Sequence, residues 1–214
     1  MQFKNNEILL FQGDSITDGN RGRGTTDPNH YIGHSFPYIL SAHLALKYID
    51  KNPSFLSRGI SGNDLLQMYA RWREDGINLK PTVISILIGT NDAGAYINAN
   101  NGSTQKQYEH IFRTLIDETL NELPDTRFVL CEPFYMNVDG TDTSERRYND
   151  IKSRAQIVKK IAEDYNSTFV PLQDLLDSYA KKLGNKRKIL WDGVHPTILG
   201  HSIIAEQWLK ITEL

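Results

Sequence analysis

The chain has 214 residues, 24 Lys and Arg against 26 Asp and Glu, a net charge of −2 and 39% hydrophobic residues. That is enough chain for one domain with its own core, here expected over 1–214, and it carries no basic field for nucleic acid or an anionic membrane surface. No apolar run approaches the ~18 residues of a membrane span, and the single cysteine, Cys131, excludes an internal disulfide. The start shows no secretory apolar region, so the chain reads as cytoplasmic, in a reducing compartment.

Short apolar runs alternate with helical periodicity. EILLFQG (7–13) reads as a first strand, followed by a helix from about Tyr38. SFLSRGI (54–60) reads as a second strand, and NDLLQMYARWRED (63–75) as a helix with Leu65, Leu66, Tyr69 and Trp72 on one face. VISILIG (83–89), β-branched and apolar on both faces, has the pattern of a central parallel strand. A helix over 107–123 stops before Pro124, and RFVLCEP (127–133) is a fourth strand that buries Cys131. A long helix over 143–165 has Thr143 as its N-cap, STFVPL (167–172) is a fifth strand, and a helix covers 172–183. The last helix covers 196–211, with Pro196 in its first turn. This βα alternation predicts a three-layer α/β/α fold, with a five-stranded parallel sheet of flavodoxin-like order 2-1-3-4-5. The polar, Gly-rich stretch 18–30 between the first strand and first helix reads either as a mobile surface loop or as a functional lid or wall.

Ligands of such sheets bind beyond the carboxyl ends of the strands. Gly13-Asp14-Ser15 follows the first strand and Arg58-Gly59-Ile60-Ser61-Gly62-Asn63 the second. Gly89-Thr90-Asn91-Asp92 follows the third, Glu132-Pro133-Phe134-Tyr135 the fourth, and Trp191-Asp192-Gly193-Val194-His195-Pro196 precedes the last helix. Each piece alone has a plain reading: Ser15 as a cap or phosphate cradle, Asn91 and Asp92 as an Asx-turn, His195 as a surface residue. Together they match the needs of acyl transfer. A serine hydroxyl needs an adjacent base, which His195 supplies, and Asp192 in the same turn can orient and stabilise that imidazole. Donors for a developing oxyanion are the Ser15 N–H, the Gly62 N–H, where an absent side chain permits close approach, and the Asn91 amide. Trp191 and Tyr135 are candidates for a sugar-ring platform, or else core and rim aromatics. With Asp14 they form the expected substrate-binding set.

The blocks Gly13-Asp14-Ser15, Gly62, Gly89-Thr90-Asn91-Asp92 and Asp192-Gly193-Val194-His195 resemble, in that order, those of the SGNH (GDSL-type) hydrolase superfamily. The resemblance runs from Leu10 to the final helix. GDSITD, GISGND, ARWRED, IGTND, EPFY and WDGVHPT further resemble the bacterial intracellular acetylxylan esterase branch, which deacetylates xylo-oligosaccharides. The resemblance implies a serine esterase without metal or cofactor, in which Ser15 is nucleophile, His195 base and Asp192 third member. It assigns the oxyanion hole to Ser15, Gly62 and Asn91. It also implies a homo-oligomer acting on a small-molecule ester, with no nucleic-acid or membrane partner. Two other readings are a thioesterase or lysophospholipase, and a non-catalytic carbohydrate-binding module. No Gly-x-Ser-x-Gly elbow is present, no phosphate-binding Gly motif directly follows a strand, and His30, His34, His43, His110 and His201 show no metal-ligand spacing.

Overall fold

The computed structural model describes residues 2–24, 27 and 30–214. Its sheet has five parallel strands, Ile8–Gly13 (β1), Ser54–Ser57 (β2), Val83–Leu87 (β3), Arg127–Cys131 (β4) and Thr168–Val170 (β5), in the order β2-β1-β3-β4-β5. The register runs from Leu9 opposite Val83 to Gly13 opposite Leu87, so β1 and β3 end side by side. All of β3 is buried because helices cover both faces of the sheet.

Alternating side chains divide between two cores. Leu9, Phe11, Val83, Val129 and Cys131 pack with Phe36–Lys47 (α2), Gln173–Leu183 (α8) and Ile198–Thr212 (α9) through Phe36, Leu40, Leu176, Ile204 and Trp208. Leu10, Ile84, Ile86, Phe128 and Leu130 pack on the other face, against Leu65–Ala70 (α3), Trp72–Asp75 (α4), Gln105–Glu122 (α6) and Asp142–Asp164 (α7). Burial raises the Cys131 thiol to about 12, so it is held as a neutral core side chain.

The helices depart from the sequence expectation in several places. The helix expected from about Tyr38 begins at Phe36, with Pro37 in the first turn, where its missing N–H costs nothing. The helix expected over 63–75 breaks at Arg71 into α3 and α4. Arg71 reaches sideways to Gln12, Asn63 and Asp75. The buried face is Leu65, Met68 and Trp72, while Leu66, expected on it, is 55% exposed. Two N-caps shift as well: Thr141 rather than Thr143 caps α7, and Thr197 caps α9, leaving Pro196 outside the helix. Finally, Thr90–Ala99 forms a helix (α5) that the sequence did not announce. It has little apolar periodicity to signal it.

Candidate active site

β1 delivers the first side chain. Gly13 has φ +155°, and a Cβ there would run into the Leu87 carbonyl and the Thr17 hydroxyl, so only glycine lets β1 turn at this point. The chain enters the one-turn helix Ser15–Asp18 (α1), whose N-cap, Asp14, accepts from the Ile16 N–H at 2.9 Å. Asp14 is buried, and burial pushes its carboxyl up to about 7 against the lowering pull of that bond. It therefore lies beneath the site, with its side chain committed to the backbone, and does not line a surface for substrate.

Ser15 is half-buried at the head of α1. Its Oγ lies 2.9 Å from His195 Nε2, and His195 Nδ1 lies 2.6 Å from Asp192 Oδ2. The other Asp192 oxygen accepts from the backbone N–H groups of His195 at 2.8 Å and Val194 at 2.9 Å. Burial alone would raise this carboxyl, but the bonds from the His195 backbone, its ring and Val194 outweigh burial and hold it below the usual range. An ionised Asp192 can only accept, so Nδ1 carries the imidazole proton and Nε2 is left to accept from the Ser15 hydroxyl. The turn itself is closed by Trp191 N–H to His195 O at 3.1 Å. It is tied to the segment after β4 by Met136 N–H to Gly193 O at 2.9 Å.

The loop after β2 brings Gly62 to the same end of the sheet, anchored by Ile60 N–H to Gly13 O at 3.1 Å. Gly62 has φ +86°, while an added Cβ would meet nothing within 4 Å. Its backbone conformation is one that favours glycine, and the space around it is open. Asn91, in the first turn of α5, donates one amide proton to Asn63 O at 3.0 Å and keeps a second. Among the described residues, neither the Ser15 nor the Gly62 N–H has a hydrogen-bond partner.

Two further residues hold this ensemble together in roles that the sequence did not show. Asp92 is buried and accepts from Leu65 N–H at 3.2 and 3.1 Å and from Ser103 Oγ at 3.1 Å, joining α3 to α5. Burial raises its carboxyl to about 6, partly offset by Arg154. Arg147 of α7 donates to Thr90 O at 3.1 Å and lies 4.9 Å from the centre of the Tyr135 ring. Tyr135 is only 4% exposed, with its hydroxyl on Ser144 Oγ at 3.0 Å. It is a core residue and offers no open face to a sugar. Trp191 differs: it is 57% exposed and lies nearly parallel to the His195 ring, 22° apart with centroids 6.1 Å apart. Among the described residues no three His, Cys, Asp or Glu side chains gather as metal ligands, and no helix is long and apolar enough to cross a membrane.

Residues 11–203 match the model of the GDSL-like lipase/acylhydrolase family. The chain belongs to that family. It is a carboxylic ester hydrolase. It is 32% identical to an acetylxylan esterase from Geobacillus stearothermophilus, over 98% of this chain and 95% of that protein. The solved structure of an acetylxylan esterase from the same organism superposes with a TM-score of 0.88 at 31% identity, covering all of this chain and 97% of that one. A solved Parabacteroides merdae protein described as a GDSL-like lipase superposes with a TM-score of 0.93 at 33% identity, covering 99% of this chain and 98% of that one. Alanine variants of the Geobacillus enzyme at a serine, an aspartate and a histidine are described as catalytic mutants, the last two positions lying three residues apart.

Proposed function

We propose that this family member removes acetyl groups from xylo-oligosaccharides or similar acetylated sugars, through an acyl-enzyme on Ser15. The observation that carries the reading is the continuous chain from Ser15 Oγ to His195 Nε2 at 2.9 Å and from His195 Nδ1 to Asp192 at 2.6 Å. Ser15 Oγ attacks the acyl carbon while its proton passes to Nε2. The carbonyl oxygen takes up the electron pair and accepts from the Ser15 N–H, the Gly62 N–H and the Asn91 amide, each such donor being worth roughly 10²–10³ in rate. Collapse breaks the bond to the sugar oxygen, which leaves with the proton from Nε2. Water then repeats the sequence, giving its proton to His195, and acetate departs as Ser15 regains its hydrogen. The catalytic serine, aspartate and histidine of the Geobacillus enzyme support the same roles here. The sugar preference draws on that enzyme's activity on acetylxylan and on Trp191, an exposed ring beside His195 of the kind that stacks on a sugar face.

Ser15→Ala is expected to abolish turnover of p-nitrophenyl acetate and of acetylated xylo-oligosaccharides without lowering the unfolding midpoint. A folded variant keeping about a tenth or more of the wild-type kcat/KM removes Ser15 from the reaction. A wild-type preference for octanoate over acetate esters removes the acetyl-sugar assignment.

A further inference from the structure

The chain leaving Ser15 runs Ile16-Thr17-Asp18-Gly19-Asn20-Arg21-Gly22-Arg23. Asp18 closes α1, three residues from the proposed nucleophile, and is 2% exposed. A carboxylate taken this far from water needs partners. It accepts from Ser61 N–H at 2.8 Å and Arg23 Nη2 at 2.6 Å on one oxygen, and from Arg21 N–H at 3.1 Å on the other. Both arginines then turn to one acceptor, the Gly59 carbonyl, which Arg21 Nε reaches at 3.0 Å and Arg23 Nη1 at 3.3 Å. Gly59 also packs so tightly on α1 that a Cβ would meet the backbone of Thr17 and Asp18.

These contacts converge on Gly59–Ser61, the stretch immediately before Gly62. The Ser61 N–H is consumed by Asp18, which sets the orientation of the chain as it enters Gly62. Burial and the neighbouring charges of Arg23 and Arg58 lower the Arg21 guanidinium to about 10. The cations are thus held together against their own repulsion, as expected when a charged partner and a carbonyl recruit them.

We propose that Asp18, with Arg21 and Arg23, is a positioning clasp for the oxyanion hole. It ties the Gly62 loop to the same turn of helix that begins with Ser15, so that the two backbone N–H groups move as one unit. The inference rests on the reading of Gly62 as an oxyanion donor. It gives the first part of the 18–30 stretch a role in the rate of the chemical step. Residues 25, 26, 28 and 29 of that stretch lie outside the described residues.

The test compares D18N, R23A, R23K and the double variant R21A/R23A with wild type on p-nitrophenyl acetate. Inhibition by methylboronic acid, which forms a tetrahedral adduct on a serine, reads transition-state binding directly. Loosening the loop is expected to lower kcat by about 10- to 100-fold in D18N, as for other small misplacements of catalytic groups. KM should stay within about twofold, and the boronate inhibition constant should rise by the factor lost in kcat/KM. R23K, which keeps a cation near Asp18, should recover part of the R23A loss. Arg23 is largely exposed, so if D18N unfolds early the arginine variants carry the test. A folded D18N or R21A/R23A with kcat and boronate affinity close to wild type overturns the clasp, as does a rise in KM alone. N91A separates the two levels of argument. Unchanged boronate affinity in both N91A and D18N means that the oxyanion reading itself fails, whereas weakened affinity in N91A but not in D18N means that only the clasp fails.

Discussion

Asp192 uses both carboxylate oxygens on a single turn, one for the His195 ring and one for the backbone N–H groups of His195 and Val194. The ring is therefore fixed in position and in tautomer by the same side chain. In Asp192→Asn the amide can present an N–H to Nδ1, which would move the imidazole proton to Nε2 and leave Ser15 facing a donor. We expect kcat on p-nitrophenyl acetate to fall by up to about 10⁴ with little change in KM, as measured for this exchange in other triads. A near-wild-type rate would place the third role on another residue. The Asp-x-x-His pair was legible in the sequence because both members lie in one short turn, where spacing alone dictates proximity. The burial of Asp14 and Tyr135, both read from sequence as substrate contacts, was not legible there: it depends on packing around α1 for one, and on Gln173, Ser144 and Arg147 for the other.

At the level of elements, the strands announced themselves and the helix ends did not. β1, β3 and β4 are mainly apolar runs, whereas a helix start is set by whichever of several nearby hydroxyls captures the free N–H groups, as Thr141 does ahead of Thr143. α5 escaped notice because only Thr90, Asp92 and Ala93 of its ten residues are buried. It is held by tertiary bonds, not by an apolar stripe. The start of α3 shows the two kinds of support side by side. Asp64 caps it locally in a reciprocal box with Gln67, while Asp92 reaches Leu65 N–H from α5. Asp64→Ala should cost about 1 kcal/mol in urea unfolding. Activity should be unchanged, since the Asp92 tie keeps α3 and Asn91 together. A loss of kcat would mean that the local cap, not Asp92, sets the geometry beside Asn91.

On the scale of the whole molecule, α2 and α9 cover one face of the sheet and are joined by His201, whose Nδ1 accepts from the Phe36 N–H at 3.2 Å. Burial lowers this imidazole to about 4, with the fields of His34 and His195 acting in the same direction. The folded value thus lies below the unfolded one of about 6.5. The neutral ring contributes stability that is fully present above pH 6.5 and is lost as pH falls through that window toward 4. His201→Asn keeps an acceptor for Phe36 without the titration. Urea midpoints measured from pH 7 to 4 should fall more steeply for wild type than for the variant. Asp14 and Asp92, whose raised values act in the opposite sense, contribute equally to both proteins and cancel in the difference. Parallel curves would show that His201 does not carry the acid-side loss.

The sequence by itself determined the layered parallel fold, the strand order and the family, because apolar periodicity and short blocks at strand ends survive without any knowledge of contacts. It also pointed to Ser15, His195 and Asp192, which the structure brings within hydrogen-bond reach of one another. Only the tertiary structure decided which neighbours are buried, that Gly62 adopts a positive φ, and that Asp18, Asp92 and Arg147 brace the site from elsewhere. Those facts depend on pairs of residues far apart in the chain. Burial and hydrogen-bond partnership are properties of the pair and its surroundings, so no single stretch of sequence contains them.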